Sequence, residues 1–112
     1  MSKWINVAPV DDFTAGKSQL VETGNTEIAV FNLDGEYFAI EDVCSHEGFP
    51  MLGCGLAAED VVDGDQLICP RHGARFCIRT GAALTPPAYE ALARFQVRQE
   101  NGMVQVSDKP IN

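Results

Sequence analysis

Hydrophobic and polar positions alternate through both ends of the chain, and this pattern predicts strands rather than helices. Lys3-Trp4-Ile5-Asn6-Val7-Ala8-Pro9 reads as a first strand closed by Pro9. Asp11-Asp12-Phe13 opens a polar connection reaching Gly16, and Lys17 to Glu22 alternates weakly towards a turn at Gly24-Asn25. The β-rich runs Thr26 to Leu33 and Glu36 to Ile40 flank Asp34-Gly35, a strong short-range signal for a hairpin. Towards the other end, Ala93 to Arg98 and Met103 to Val106 alternate around Glu100-Asn101-Gly102. They predict a second hairpin with one polar and one apolar face.

No segment shows the 3.6-residue stripe of an amphipathic helix. Glu59-Asp60-Val61-Val62 and Tyr89-Glu90-Ala91-Leu92 allow one helical turn each at most. Short strands with closely spaced turn signals predict an all-β fold, an antiparallel β-sandwich or small barrel. The middle of the chain then forms loops inserted between hairpins.

Composition narrows the class. With 112 residues, 46% of them hydrophobic and 21% charged, the chain suits one folded domain spanning 1–112 that buries a core without disulfide staples. Apolar runs are too short to cross a bilayer, and the start lacks the apolar stretch of a secretory signal, so a cytoplasmic location is expected. In that compartment free thiols and metal sites are commoner than disulfides. The net charge of −8, from 16 acidic and 8 basic residues, argues against nucleic-acid or acidic-membrane partners. It suits docking onto basic protein patches, or simple solubility.

The chemistry lies in two segments. Cys44-Ser45-His46 continues as Glu47-Gly48-Phe49-Pro50, and Cys69-Pro70-Arg71-His72 continues as Gly73-Ala74-Arg75-Phe76. Both histidines of the chain and two of its four cysteines lie here, with 22 residues between His46 and Cys69. Gly48 and Gly73 permit tight turns, while Pro50 and Pro70 stiffen the loops. Four donors in two matching half-sites predict a metal centre at Cys44, His46, Cys69 and His72. Tetrahedral zinc accepts such a donor set, and so does a [2Fe–2S] cluster in which two histidines replace two cysteines on one iron.

These two boxes resemble those of Rieske [2Fe–2S] proteins, and more narrowly the Rieske-type ferredoxins of bacterial aromatic-ring-hydroxylating dioxygenases. Ile78-Arg79-Thr80-Gly81, Leu84 to Glu90 and the final hairpin are similar too, so the resemblance covers most of the chain. It implies one [2Fe–2S] cluster, with Cys44 and Cys69 on a buried iron and His46 and His72 on an outer iron. It also implies cluster-binding loops at about 43–53 and 69–76, with a covering loop at about 84–88 around Pro86-Pro87. Two departures stand out. The boxes lie about five residues further apart than is usual, the surplus falling within Met51 to Val62, which carries Cys54; and Arg71 replaces a more frequent apolar residue.

The neighbours of the ligands indicate which Rieske protein is expected. High-potential members carry an extra cysteine in each box and two hydroxyls that donate to sulfur. Here those positions are Phe49 and Arg71, and Ala74 and Phe76. Without those donors the added electron is less stabilised, implying a potential on the order of −150 mV. Cys77 sits in a strand-like run as a small buried thiol, and Cys54 lies between two glycines.

With both histidines assigned to the cluster, none remains for a mononuclear iron site or a nucleophile–base pair, and no glycine-rich dinucleotide fingerprint is present. The resemblance therefore implies an electron carrier, a monomer passing electrons from an NAD(P)H-dependent flavoprotein reductase to a terminal oxygenase. Docking is expected around Phe49, Pro50, Arg71 and Pro86-Pro87. The alternatives are a small Rieske subunit of a larger reductase, such as a nitrite reductase, and a zinc-stabilised interaction module.

Overall fold

A computed structural model describes residues 3–24, 26–43, 50–53, 57–70, 73–85 and 90–111. Nine strands account for most of them: β1 (Trp4–Pro9), β2 (Ser18–Glu22), β3 (Glu27–Leu33), β4 (Glu36–Glu41), β5 (Val62–Asp63), β6 (Gln66–Ile68), β7 (Arg75–Cys77), β8 (Arg94–Glu100) and β9 (Met103–Pro110). One short helix, α1 (Ala58–Val61), precedes β5. No helix among the described residues is long and apolar enough to cross a membrane.

The strands form two antiparallel sheets. The larger runs β1-β9-β8-β4-β3-β2 and the smaller β5-β6-β7, so the small sheet is inserted between β4 and β8. Both expected hairpins are present. Asp34 and Gly35 take φ of 54° and 96°, and Asn101 and Gly102 take 52° and 78°. Two successive positive φ values suit two-residue turns whose twist matches the flanking strands, which Asp-Gly and Asn-Gly tolerate best. Leu33 accordingly faces Glu36, and Glu100 faces Met103.

Strand β3 explains how two layers form from so short a chain. Its five central residues are all buried. Ile28 and Val30 join Phe13, Val21, Ala39, Phe95, Val104 and Val106 in a core belonging to the large sheet. The alternate residues Ala29 and Phe31, with Ile40 of β4, pack with Met51, Val61, Leu67, Cys69, Ala74 and Phe76. Side chains alternate across a strand, so β3 supplies one core from each face and the small sheet covers the second.

Two details differ from the sequence expectation. The connection after β1 is not wholly polar: Val10–Asp12 forms a 3₁₀ turn, and Phe13 turns inward to meet Tyr37 edge-to-face at 5.7 Å. The region between the boxes is not wholly loop either. The turn of helix expected at Glu59–Val62 is present as α1, with Val61 buried, and leads into the small sheet. Glu90 to Leu92 is not helical, and Leu92 is buried.

Candidate metal centre

Cys69 immediately follows β6 and is almost fully buried. Its backbone N–H donates to the Ala74 carbonyl at 2.7 Å, and its own carbonyl accepts from Gly73 N–H at 2.9 Å. These two bonds close the end of the β6–β7 hairpin, with Gly73 at φ 73° and open space where a Cβ would stand. The second box is therefore the tip of a hairpin whose base is fixed. Ala74 and Phe76, which lack hydroxyls, are both fully buried beside it.

The stem of the first box is held by a residue not singled out in the sequence. Asp42 is 3% exposed, and its Oδ1 accepts backbone N–H groups of Met51 at 3.2 Å and Leu52 at 2.6 Å. Its Oδ2 accepts from Gly53 N–H at 2.9 Å. One carboxylate thus joins both ends of the segment carrying Cys44 and His46. Three amide donors satisfy a buried charge that would otherwise be costly. Its sequence signal is faint: an acidic residue two positions before the first cysteine.

The stem of the third loop is tied to β7. Leu84 N–H donates to the Arg75 carbonyl at 2.8 Å, Thr85 Oγ1 accepts from Arg75 N–H at 2.9 Å, and Cys77 N–H donates to Ala82 at 2.9 Å. Ala82 to Thr85 consequently runs along β7 almost as a fourth strand. Gly81, which precedes this run at φ 78°, lies so close to Leu92 that a Cβ there would stand 2.5 Å from its carbonyl oxygen.

The stems of both boxes share one core. Val43, Met51 and Leu52 beside the first box pack in the same cluster as Cys69 and Ala74 of the second. Arg79 links this region to β4, its guanidinium over the Phe38 ring at 5.1 Å and near Glu36 and Asp65 at 3.5 and 3.6 Å.

Of the four expected ligands, Cys69 is placed; Cys44, His46 and His72 lie outside the described residues, as do Phe49, Cys54, Arg71, Pro86 and Pro87. Cys77 lies in β7 as expected, half-buried rather than fully buried, with a free thiol. Among the described residues no group of three or more His, Cys, Asp or Glu is arranged to hold a metal. A buried cysteine on a pinned hairpin, with a histidine three residues on in sequence and a matching half-site between stems that share its core, fits a two-thiolate, two-imidazole centre.

Two antiparallel sheets, with Cys69 buried at the closed end of the smaller sheet's β6–β7 hairpin, define a small all-β protein class. The chain belongs to the Rieske [2Fe–2S] domain family, whose model matches residues 3–96. Its cofactor is accordingly one [2Fe–2S] cluster, and the zinc alternative falls away. The chain is 35% identical over 97 residues to the biphenyl dioxygenase ferredoxin subunit of Pseudomonas sp. (strain KKS102), covering 87% of this chain and 84% of that one. It is 37% identical over 99 residues to the 3-phenylpropionate/cinnamic acid dioxygenase ferredoxin subunit of Escherichia coli (strain K12), covering 88% and 87%. Among solved structures, a chain in the complex of reduced oxygenase and oxidized ferredoxin in carbazole 1,9a-dioxygenase superposes with a TM-score of 0.84 at 27% identity, covering 97% of this chain and 96% of that one.

Proposed function

We propose that residues 1–112 form a single cytoplasmic electron-carrier domain, monomeric in solution, serving an aromatic-ring-hydroxylating oxygenase. The observation that carries this reading is length as well as likeness. The chain matches 84% and 87% of two relatives that are themselves named ferredoxin subunits.

In this reading Cys44 and Cys69 hold one iron, and His46 and His72 hold the other. When bound, the cluster takes up one electron and gives it back. The chain supplies the surroundings. The buried position of Cys69 excludes water from its side of the site. Asp42 and the Cys69–Ala74 turn hold the two stems, limiting the rearrangement that accompanies a change of charge. Ala74 and Phe76 offer no hydroxyl to a sulfur, which favours a potential on the order of −150 mV. The electron source is an NAD(P)H-dependent flavoprotein reductase and the acceptor a terminal Rieske oxygenase.

The deciding experiment combines visible and EPR spectroscopy of the dithionite-reduced protein with a redox titration. A histidine-ligated cluster signal titrating near −150 mV is expected, on a protein that runs as a free monomer by gel filtration. A midpoint above about +100 mV, or stable residence in a larger reductase, contradicts the proposal.

A further inference from the structure

The large sheet opens into a groove where β4 and β8 part. They pair only at Ala39–Phe95 and Ile40–Arg94, while β8 stays on β9 as far as Glu100. Between Tyr37-Phe38 on one side and Gln96 to Arg98 on the other lies an open groove of about 470 Å³.

Its chemistry runs against that of the whole molecule. The chain carries a net charge of −8 with only 8 basic residues, yet three of them, Arg79, Arg94 and Arg98, line this groove. Among the described residues no carboxylate lines it. The Arg98 guanidinium lies over the Trp4 ring, 4.1 Å from its centroid, and its Nε donates to Gln105 Oε1 at 2.8 Å. Arg98 forms no ion pair with a carboxylate of the described residues, whereas Arg79 is already flanked by Glu36 and Asp65. Stacking occupies the flat face of a guanidinium and leaves its terminal in-plane N–H groups available to a carboxylate. At one end Ile111 is half exposed, adding an apolar contact.

We propose that this groove docks an extended acidic segment of a partner protein, with carboxylates on the edge of Arg98 and an apolar side chain against Ile111. Charge complementarity selects that occupant. A basic segment is repelled by the arginines, and a long polyanion such as nucleic acid would run beyond the groove onto a chain of net charge −8, whereas a short segment with a few carboxylates meets only the groove. The groove residues of β4, Tyr37 to Ala39, end four residues before Val43, roughly 13 Å at most along the chain. An occupant there leaves the end bearing the first ligand loop accessible, so the groove is a tether separate from the electron-transfer face.

The test is an NMR titration of the cluster-loaded, ¹⁵N-labelled protein with the capped peptide Glu-Leu-Glu-Phe-Glu, and with Lys-Leu-Lys-Phe-Lys as control. The proposal expects shifts confined to β4, β8, Trp4 and Ile111, weakened by added salt, and no response to the basic peptide. Arg98→Gln should weaken binding roughly three- to tenfold, and Arg98→Lys less. Ile111→Ser, at an exposed site where folding is not at stake, should weaken it about twofold to fivefold. Equal binding of both peptides, shifts centred on the ligand loops, or unchanged affinity in both Arg98→Gln and Ile111→Ser overturns the proposal. So does absence of binding at millimolar peptide. Concentration-dependent shifts at these residues without peptide would instead assign the groove to a second copy of the chain, and also overturn it.

Discussion

Gly53 and Asp42 lie so close that the glycine's backbone N–H and the space above its Cα are both claimed by the same carboxylate. The N–H donates to Asp42 Oδ2 at 2.9 Å, and a Cβ on Gly53 would stand 3.2 Å from that oxygen. The same Cβ would meet Leu20 Cδ2 at 3.0 Å and Glu27 Oε2 at 3.3 Å. The end of the first ligand loop is thus seated against side chains of β2 and β3, with no room for a side chain of its own.

Gly53→Ala should therefore destabilise the protein although its backbone does not require a glycine conformation. Leu20 is a flexible side chain and can yield, but Asp42 is held by two other amides and cannot move freely. A cost of about 1–2 kcal/mol is expected, lowering Tm by roughly 5–10 °C. Calorimetry of the variant checks this, and an unchanged Tm would show that the loop tolerates lifting away from the sheet.

Asp42→Ala removes the acceptor for three backbone donors and should cost about 2–4 kcal/mol. Asp42→Asn keeps an oxygen for Met51 and Leu52 but turns an amide towards Gly53 N–H, so the loss should be smaller, roughly 1–2 kcal/mol. Denaturant unfolding gives these values. Iron content after purification gives a second readout, which should fall in the same order because the segment between the two stems carries half of the proposed ligands.

Among the described glycines, Gly81→Ala is expected to be the most damaging substitution. Positive φ and the 2.5 Å approach to the Leu92 carbonyl oxygen both oppose a side chain, and the carbonyl is backbone that cannot step aside cheaply. Leu92 N–H also donates to the Gly81 carbonyl at 2.8 Å, so displacement breaks that bond as well. A loss of about 2–4 kcal/mol should appear in denaturant melts. A loss no larger than that of Gly73→Ala, where the space is open, would contradict this ranking.

The hairpin turns were legible because Asp34-Gly35 and Asn101-Gly102 encode their own backbone geometry. The small sheet was mostly not. β5 and β6 have two and three residues, too few to show alternation, and they exist because Val61, Leu67 and Phe76 cover Phe31 and Ile40 of the larger sheet. The same holds at the candidate site. The two cysteine–histidine boxes are contiguous in sequence and can be read from it. Asp42 cannot, because its role depends on amides nine to eleven residues away that only the folded loop brings to it.

Ala74→Ser tests the electronic side of the proposal. Ala74 is fully buried next to Cys69 in the apolar cluster, so a hydroxyl placed there has few partners other than the thiolate or the cluster. Hydrogen bonds to cluster sulfur favour the reduced form, so the midpoint should rise, on the order of tens of millivolts. Redox titration against the unmodified protein checks the sign. A fall in potential, or no shift with full cluster content, would remove Ala74 from the set of residues that tune the site.

Cluster removal should divide the molecule along its two cores. Phe13, Ile28, Val30, Val104 and Val106 pack within the large sheet and involve none of the ligand loops. Met51, Leu67, Cys69, Ala74 and Phe76 pack in the other core, whose loop stems the proposed ligands would tie together through the cluster. Stripping iron at neutral pH should leave the amides of β3, β8 and β9 protected from hydrogen exchange. Those of β6, β7 and the Met51–Gly53 stem should lose protection by at least about tenfold, because cluster binding contributes to folding only where its ligands are anchored. Hydrogen exchange followed by mass spectrometry separates these regions. Uniform loss across both sheets would mean that β3, shared by the two cores, transmits the disturbance through the whole molecule.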